Sequence, residues 1–471
     1  MASTSFSFVL LSVLLLPLVL SSPLGSIFHQ HKAAYRPSLG ADPGDPLYLT
    51  PYIKKGDVAT AHKLSEVTEK LAGVTSYSGF LTVNETSNGN MFFWFFPAQN
   101  GNKDAPLMLW LQGGPGGSSL FGLFNENGPL VVDSSGKVSL RKVTWNTDYH
   151  MLYIDNPVGT GFSFTNDSKG FSTNEVEVGI NLYSALTQFF TVFSEYQAND
   201  FYLTGESYAG KYVPAIGYKI HTENMNNPAV KINLKGLAIG DGLCDPENMM
   251  NAYADLVFQF GMVDENQAAY IFSQTNTAVQ HIKAKQFYDA FKIFDALLNG
   301  DLIPYPTYFY NVTGSTNYYN ILRTSSPPDF NYYVPFINTT DIRRAIHVGS
   351  LSYGSHAEDV EMALGNDIMD TVRDWLSVLM DNYKVLLYNG QLDIIVGVPL
   401  TESMLQVLQW SGRDAYLKAD RQVWKIGDDV AGYVRTVNKF MQVVVRGGGH
   451  ILPFDQPERA LNLIQNFVNM Q

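Results

Sequence analysis

The stretch that decides the fold is Phe201-Tyr202-Leu203-Thr204-Gly205-Glu206-Ser207-Tyr208-Ala209-Gly210. A short apolar run with strand character breaks at Gly205, and a helical pattern is under way by residues 213–223. A serine at such a strand-to-helix turn sits in strained backbone with its oxygen exposed, and small neighbours let backbone segments come close. The strict pattern is G-x-S-x-G; here Ala209 holds the last glycine position and Gly210 follows. The start of the helix adds N–H groups suited to a developing oxyanion.

Outward from this turn, the chain alternates buried-strand runs with helical segments. Strands are expected at 106–111, 150–154, 200–203, 234–239, 384–388 and 441–445, and helices at 175–193 and 213–223. That rhythm predicts a mostly parallel sheet covered by helices on both faces. Near the start, 77–83 and 91–97 flank an Asn88-Gly89 turn, which reads as a hairpin. The rhythm stops at 245–344, where helices at 266–279 and 282–298 precede a Tyr- and Pro-rich loop at 304–335. That stretch reads as a helical cap inserted into the core. The expected order is a signal segment at 1–22, an extended arm at 23–76, core at 77–244, cap at 245–344 and core again at 345–471.

A serine nucleophile needs a base and an acid that orients it. His450 stands in the glycine-rich Arg446-Gly447-Gly448-Gly449-His450-Ile451, on a loop leaving the last expected strand. His29, His31 and His62 fall in the arm, His281 and His347 in helical sequence, and His150 begins a strand. Asp393 follows the strand at 384–388, in Tyr388-Asn389-Gly390-Gln391-Leu392-Asp393. Its rival Asp241 is flanked by glycines and reads as a turn-stabilising residue. The order Ser207, Asp393, His450 is that of an α/β-hydrolase fold. One oxyanion donor is then the Tyr208 amide, and the second comes from the loop Gln112-Gly113-Gly114-Pro115-Gly116-Gly117-Ser118. No Lys-Ser/Thr follows that loop, G-x-G-x-x-G is absent, and no His/Cys/Glu spacing suits a metal, so neither cofactor nor metal is expected.

Composition bounds the rest. With 471 residues, 45% hydrophobic and 16% charged, the chain can bury a large core. The net charge of -13 disfavours nucleic acid as a partner. The single cysteine, Cys244, forbids an intramolecular disulfide. An apolar run at 6–20 followed by small residues reads as a secretory signal, and no other stretch is apolar enough for a membrane span. Sequons at Asn84, Asn166, Asn311 and Asn338 agree with a glycoprotein of the secretory pathway, secreted or lysosomal. Nothing in the sequence sets an oligomeric state.

Three segments together resemble the serine carboxypeptidases: Trp110-Leu111-Gln112-Gly113-Gly114-Pro115-Gly116-Gly117-Ser118-Ser119, Gly205-Glu206-Ser207-Tyr208-Ala209-Gly210 and Gly449-His450. Asp155-Asn156-Pro157-Val158-Gly159-Thr160-Gly161-Phe162-Ser163-Phe164 extends the resemblance, which looks most like the vitellogenic-like branch. It implies release of C-terminal residues from peptides or proteins with a free C-terminus, with Ser207, Asp393 and His450 as the triad. It implies oxyanion donors at the Gly114 and Tyr208 amides. The substrate carboxylate would be held by Gln112, the Gly113 amide and Glu206, with Trp110 and Glu126 in support. The family usually has Asn where Gln112 stands and Cys where Gly117 stands. A carboxyl at Glu206 tolerates a second carboxylate only by sharing a proton, so activity at acid pH is expected. Ile451 would give an apolar wall to the leaving-residue pocket. Because fold and triad do not fix chemistry, an acyltransferase or esterase and a silent binding glycoprotein stand as alternatives.

Overall fold

The computed structural model describes residues 42–470, except residue 70; the expected signal segment lies outside them. The centre is a ten-stranded sheet with the order β1-β2-β6-β3-β7-β8-β9-β12-β11-β10. In chain order its first strands are β1 (Tyr77–Asn84), β2 (Gly89–Phe96) and β3 (Leu107–Leu111), and a separate ribbon follows, β4 (Leu130–Val132) with β5 (Val138–Leu140). Then come β6 (His150–Ile154), β7 (Phe201–Glu206), β8 (Leu234–Gly240) and β9 (Lys384–Gly390). The far edge is β10 (Gln422–Ile426), β11 (Asp429–Val437) and β12 (Phe440–Val445). From β6 through β12 the neighbouring pairs are parallel, and the outer strands on each side pair antiparallel. This is the α/β-hydrolase architecture, a mostly parallel sheet flanked by helices.

The central strands are continuous apolar runs because helices cover both faces. Every side chain of β3, β6 and β7 is buried. Helix Glu175–Val192 starts at an Asn174 cap and packs against Ala209–Met225, the helix that follows Ser207. Parallel pairing aligns the strand ends: Leu111 is level with Gly205, Glu206 with Gly240, Gly240 with Tyr388 and Gly390 with Val445. Every loop that leaves these ends therefore emerges along one edge.

Two expectations differ from the structure, and one element of the sheet was not expected at all. The arm is not simply extended: Thr50–Lys54 and Val58–Ser65 are short helices, and Leu49 and Ala61 are fully buried. The hairpin β10–β11 carries too many exposed and charged residues to register as a buried run. The helix expected at 282–298 is instead broken near Lys285, at φ +59°, and Phe287–Phe294 begins a new one.

At the ends of β9 and β12 the two loops touch backbone to backbone. A Cβ on Gly390 would lie 2.1 Å from the Gly449 carbonyl oxygen. Gly390→Ala should therefore force these loops apart, at about 1–3 kcal/mol for an overpacked site. A thermal melt of the variant should come several degrees below wild type; an unchanged melt would show that the approach has slack.

Candidate active site

Ser207 directly follows β7 with φ +64°, a left-handed conformation rarely adopted by a side-chain-bearing residue. Both sides of its turn are held by the end of β8. The Ser207 amide donates to the Gly240 carbonyl at 3.0 Å, and the Leu243 amide donates to the Ser207 carbonyl at 3.0 Å. The departure from G-x-S-x-G has a local reason. A Cβ on Gly210 would meet Leu243 N at 2.6 Å, so the glycine is needed one residue later, while the Ala209 methyl faces Gly205. On the other side, a Cβ on Gly113 would lie 2.6 Å from both Ser207 Cβ and Tyr208 N. The glycine-rich loop thus lies directly on the serine turn, with Gly114 at φ +119°.

That loop is fastened by Asp155, at the end of β6. One Asp155 oxygen accepts from Ser118 Oγ at 2.5 Å and the Ser119 amide at 3.1 Å, and the other accepts from the Phe162 amide at 2.8 Å. Burial pushes this carboxyl up to about 7 against those hydrogen bonds.

His450 and Asp393 are fully buried and joined by a 2.8 Å hydrogen bond from Nδ1 to Oδ2. Asp393 also accepts from the Ile395 and Val396 amides at 2.9 and 3.2 Å. The Tyr319 ring lies over the imidazole, 5.1 Å between centroids, and the His450 amide donates to the Tyr319 carbonyl. His450 Nε2 has no hydrogen-bond partner among the described residues. Asp241 is not a local turn stabiliser: its carboxylate accepts from the Gly390 amide, 149 residues away, at 2.9 Å. Asp241, Asp393 and His450 bring one polar atom each within 4.8 Å of one another. Burial, followed by the Asp393 charge, raises the Asp241 carboxyl well above the usual range. The group has the makeup of a metal site, but the direct His450–Asp393 hydrogen bond accounts for two of its members.

A second buried chain runs beside the serine. Trp110 Nε1 donates to Gln112 Oε1 at 2.9 Å, and Gln112 Nε2 donates to Glu206 Oε1 at 2.8 Å. Glu126 lies against Glu206 and Gln112. Both glutamates are raised, first by burial; for Glu206 the Glu126 charge adds to it. The pair therefore holds a proton well above ordinary carboxylate pH.

Tyr208 has support of its own. Its hydroxyl donates to Asp367 Oδ2 at 2.8 Å, and Lys211 Nζ lies 2.5 Å from the same oxygen. The other Asp367 oxygen accepts from the Glu175 amide at 3.1 Å. Sequence reasoning did not single out Lys211 or Asp367. The visible signal was a lysine on the inward face of the helix after Ser207, amid Tyr212 and Val213; nothing local marks Asp367. Ile451 is buried beside His450 and is absent from the lining of the cavity against Ser207. Among the sequons, Asn84, Asn166 and Asn311 are exposed. Asn338 must be withdrawn as an acceptor: it is buried, its amide nitrogen donates to Val334 O and its oxygen accepts from Arg343.

Comparison with known proteins agrees with this geometry. The family model described as serine carboxypeptidase matches residues 66–470. The human protein named "Probable serine carboxypeptidase CPVL" is 51% identical over 459 residues, covering 96% of each chain. The "Venom serine carboxypeptidase" of Apis mellifera is 46% identical, covering 91% of this chain and 92% of its own. The "Vitellogenic carboxypeptidase" of Aedes aegypti is 41% identical, covering 92% of each. Among solved structures, a prohormone-processing carboxypeptidase of Saccharomyces cerevisiae superposes with TM-score 0.75 at 25% identity, covering 87% of this chain and 96% of its own.

The buried acids fix how stability depends on pH. Asp155 is raised to about 7, Asp295 to about 6, and Glu126 and Glu206 also rise, all chiefly by burial. A carboxyl raised in the folded state holds a proton that the unfolded chain has released, so ν_U is below ν_N and stability falls as pH rises. The loss begins above the unfolded carboxylate range, about 4, and continues through the folded values. The melting temperature should be several degrees higher at about pH 5 than at about pH 8. A flat or inverted trend would contradict the protonated state of these groups.

Proposed function

The chain belongs to the serine carboxypeptidase family and is a serine-type carboxypeptidase, and from that premise we propose that Ser207, His450 and Asp393 perform the hydrolysis. Ser207 Oγ attacks the last peptide carbonyl while His450 Nε2 takes its proton. That nitrogen is suited to the task because Nδ1 is engaged by Asp393 and Nε2 by no other described group. Asp393 keeps the imidazole in the tautomer that accepts at Nε2 and stabilises the imidazolium. The amides of Gly114 and Tyr208 receive the oxyanion of the tetrahedral intermediate. His450 then returns the proton to the departing amino acid, and an acyl-enzyme remains on Ser207. Water activated by the same imidazole hydrolyses that ester and regenerates the serine.

One observation carries the exopeptidase reading: the residue immediately before the nucleophile is a buried glutamate hydrogen-bonded to Gln112 and facing Glu126. Such a pair is costly to build. It repays that cost when a substrate carboxylate arrives and the shared proton lies between like charges. Gln112 and the Gly113 amide add donors for the same carboxylate, and Trp110 orients Gln112. As pH rises and the pair ionises, substrate carboxylates are repelled, so the activity belongs to acid conditions. Peptides and proteins with a free C-terminus are the substrate class.

The remaining assignments belong to the same proposal. Residues 245–344 cap the cleft, a reading supported by Tyr253, Phe291 and Phe294 lining the cavity against Ser207. Asn84, Asn166 and Asn311 are the glycan acceptors and the chain follows the secretory route to the outside or to the lysosome. No helix among the described residues is long and apolar enough to cross a membrane.

An N-blocked dipeptide and its C-terminal amide, compared at about pH 5, test the reading. The free acid should be cleaved at least about a hundredfold faster, since a buried clamp left unmatched forfeits several kcal/mol. Ser207→Ala should abolish the release. Glu206→Gln should retain hydrogen bonding but move the alkaline limb of kcat/KM to higher pH; an unmoved profile would remove Glu206 from carboxylate binding.

A further inference from the structure

The cavity against Ser207 has two kinds of wall. One is the reacting centre itself: Gly114, Pro115, Ser207 and Tyr208. The facing wall comes largely from the segment between β8 and β9, where Tyr253, Phe291 and Phe294 make it aromatic. Two polar side chains interrupt that apolar surface, Glu361 and Asn299. Neither belongs to the triad or to the carboxylate clamp.

Trp110, Gln112, Glu126 and Glu206 are all absent from this lining. The leaving residue must end at those groups, so its side chain occupies their side of Ser207. A cavity that touches the nucleophile and both oxyanion loops, but not the clamp, accommodates the side chain on the acyl side. That is the penultimate residue of the substrate.

The polar part of the wall is a gathering of carboxyls. Glu361 projects from helix Ala357–Leu364 and shares a side-chain hydrogen bond with Asp301; burial and the charges of Asp301 and Asp295 raise its carboxyl well above the usual range. Asn299, which lines the cavity, donates to Asp301 Oδ2 at 2.7 Å. Asp295 is fully buried; one oxygen accepts from the Asp301 and Leu302 amides, and the other accepts no hydrogen bond among the described residues. Acids gathered at an enclosed wall are unfavourable unless protons or a cation neutralise them. The chemistry complementary to aromatic walls with an acidic patch is a long apolar stem carrying a positive head, the form of lysine and arginine.

We propose that Glu361 is a specificity-determining residue, and that the enzyme prefers peptides whose penultimate residue is arginine or lysine. The proposal rests on the assignment of Ser207 and its clamp given above. Before substrate binds, Glu361 holds a proton in the company of Asp301 and Asp295; the incoming ammonium or guanidinium displaces that proton, and Asn299 offers its carbonyl oxygen as a further acceptor.

The test is a series of N-blocked dipeptides with a common C-terminal phenylalanine and Arg, Lys, citrulline or norleucine before it. Citrulline keeps the shape of arginine without its charge. For the wild type, kcat/KM for Arg and Lys should exceed that for citrulline and norleucine by roughly tenfold or more, the scale of one good charge-assisted contact. Norleucine equal to or better than arginine would overturn the proposal, and this comparison needs no variant. Glu361→Gln should lower kcat/KM for Arg and Lys by roughly tenfold while changing citrulline and norleucine by less than about twofold. Equal loss on all four substrates, with a normal melting temperature, would assign Glu361 to architecture instead. Failure of the wild type to cleave any of the four, with no labelling of Ser207 by a fluorophosphonate, would overturn the active-site assignment and this proposal with it.

Discussion

Contact without side chains between the ends of neighbouring strands is the constraint on which the rest of the site depends. Gly113 lies against Ser207 and Tyr208, Gly205 against the Leu111 carbonyl, Gly210 against Gly242 and Leu243, and Gly390 against Gly449. In each case a single added carbon would approach its neighbour to between 2.1 and 2.8 Å. Parallel pairing sets the strand ends level, but level ends alone leave their loops a side chain's width apart. Removing the side chains lets the glycine-rich loop at 112–118 approach the serine turn and lets the histidine loop approach the turn that carries Asp393. The precision of the site is therefore backbone precision, which rotamer changes in the surrounding core disturb little.

Around this contact the protein buries many acids. Asp155 fastens the glycine-rich loop at 112–118, Asp241 holds the end of β9, Asp367 ties Tyr208 to Lys211, and Glu126 faces Glu206. Each would be expensive as a charge in the interior, and each is used as a multiple acceptor or as a proton carrier. Asp155 gathers donors from two separate loops, a task an apolar residue of equal size cannot perform. Acid conditions lower the cost of the arrangement, since carboxyls raised by burial are neutral there. The buried groups therefore make the fold itself favour acid, the condition proposed for its activity.

Much of this was legible in the sequence, and the reasons are specific. Four consecutive apolar residues, Met151-Leu152-Tyr153-Ile154, after the buried His150 admit little besides a doubly covered strand, and β6 spans His150–Ile154. Ser207, Asp393 and His450 each follow such a run, so parallel pairing was enough to bring them to one edge. Gln422–Ile426 and Asp429–Val437 were not legible, because an edge hairpin leaves one face to water and keeps its charges. Asp241 was misread because its flanking glycines look like a turn, while its partner Gly390 is remote in sequence. Asn338 carries a valid sequon whose burial depends on Arg343. Lys211, Asp367 and Tyr319 escaped notice for a common reason: their partners are set by tertiary packing, and no local spacing encodes them.

The segment between β8 and β9 has to be held over the core without a disulfide, since Cys244 is the only cysteine. Two buried cations perform this work. Lys211, from the helix after Ser207, meets Asp367 of the segment and also its carbonyl. Arg343, itself in the segment, donates to Gly349 O and Asn338 Oδ1, each at 2.9 Å, and to Leu351 O, while lying over the Phe162 ring at 5.7 Å. Phe162 belongs to the stretch that Asp155 ties to the oxyanion loop. Both attachments therefore end on residues that support the proposed oxyanion donors, one through Tyr208 and one through the Asp155 turn. A disulfide would restrain the segment wherever two chains pass close together. These ionic and cation–π attachments couple its placement to the groups proposed to carry the reaction, so that seating the segment and forming the proposed oxyanion hole become one packing event.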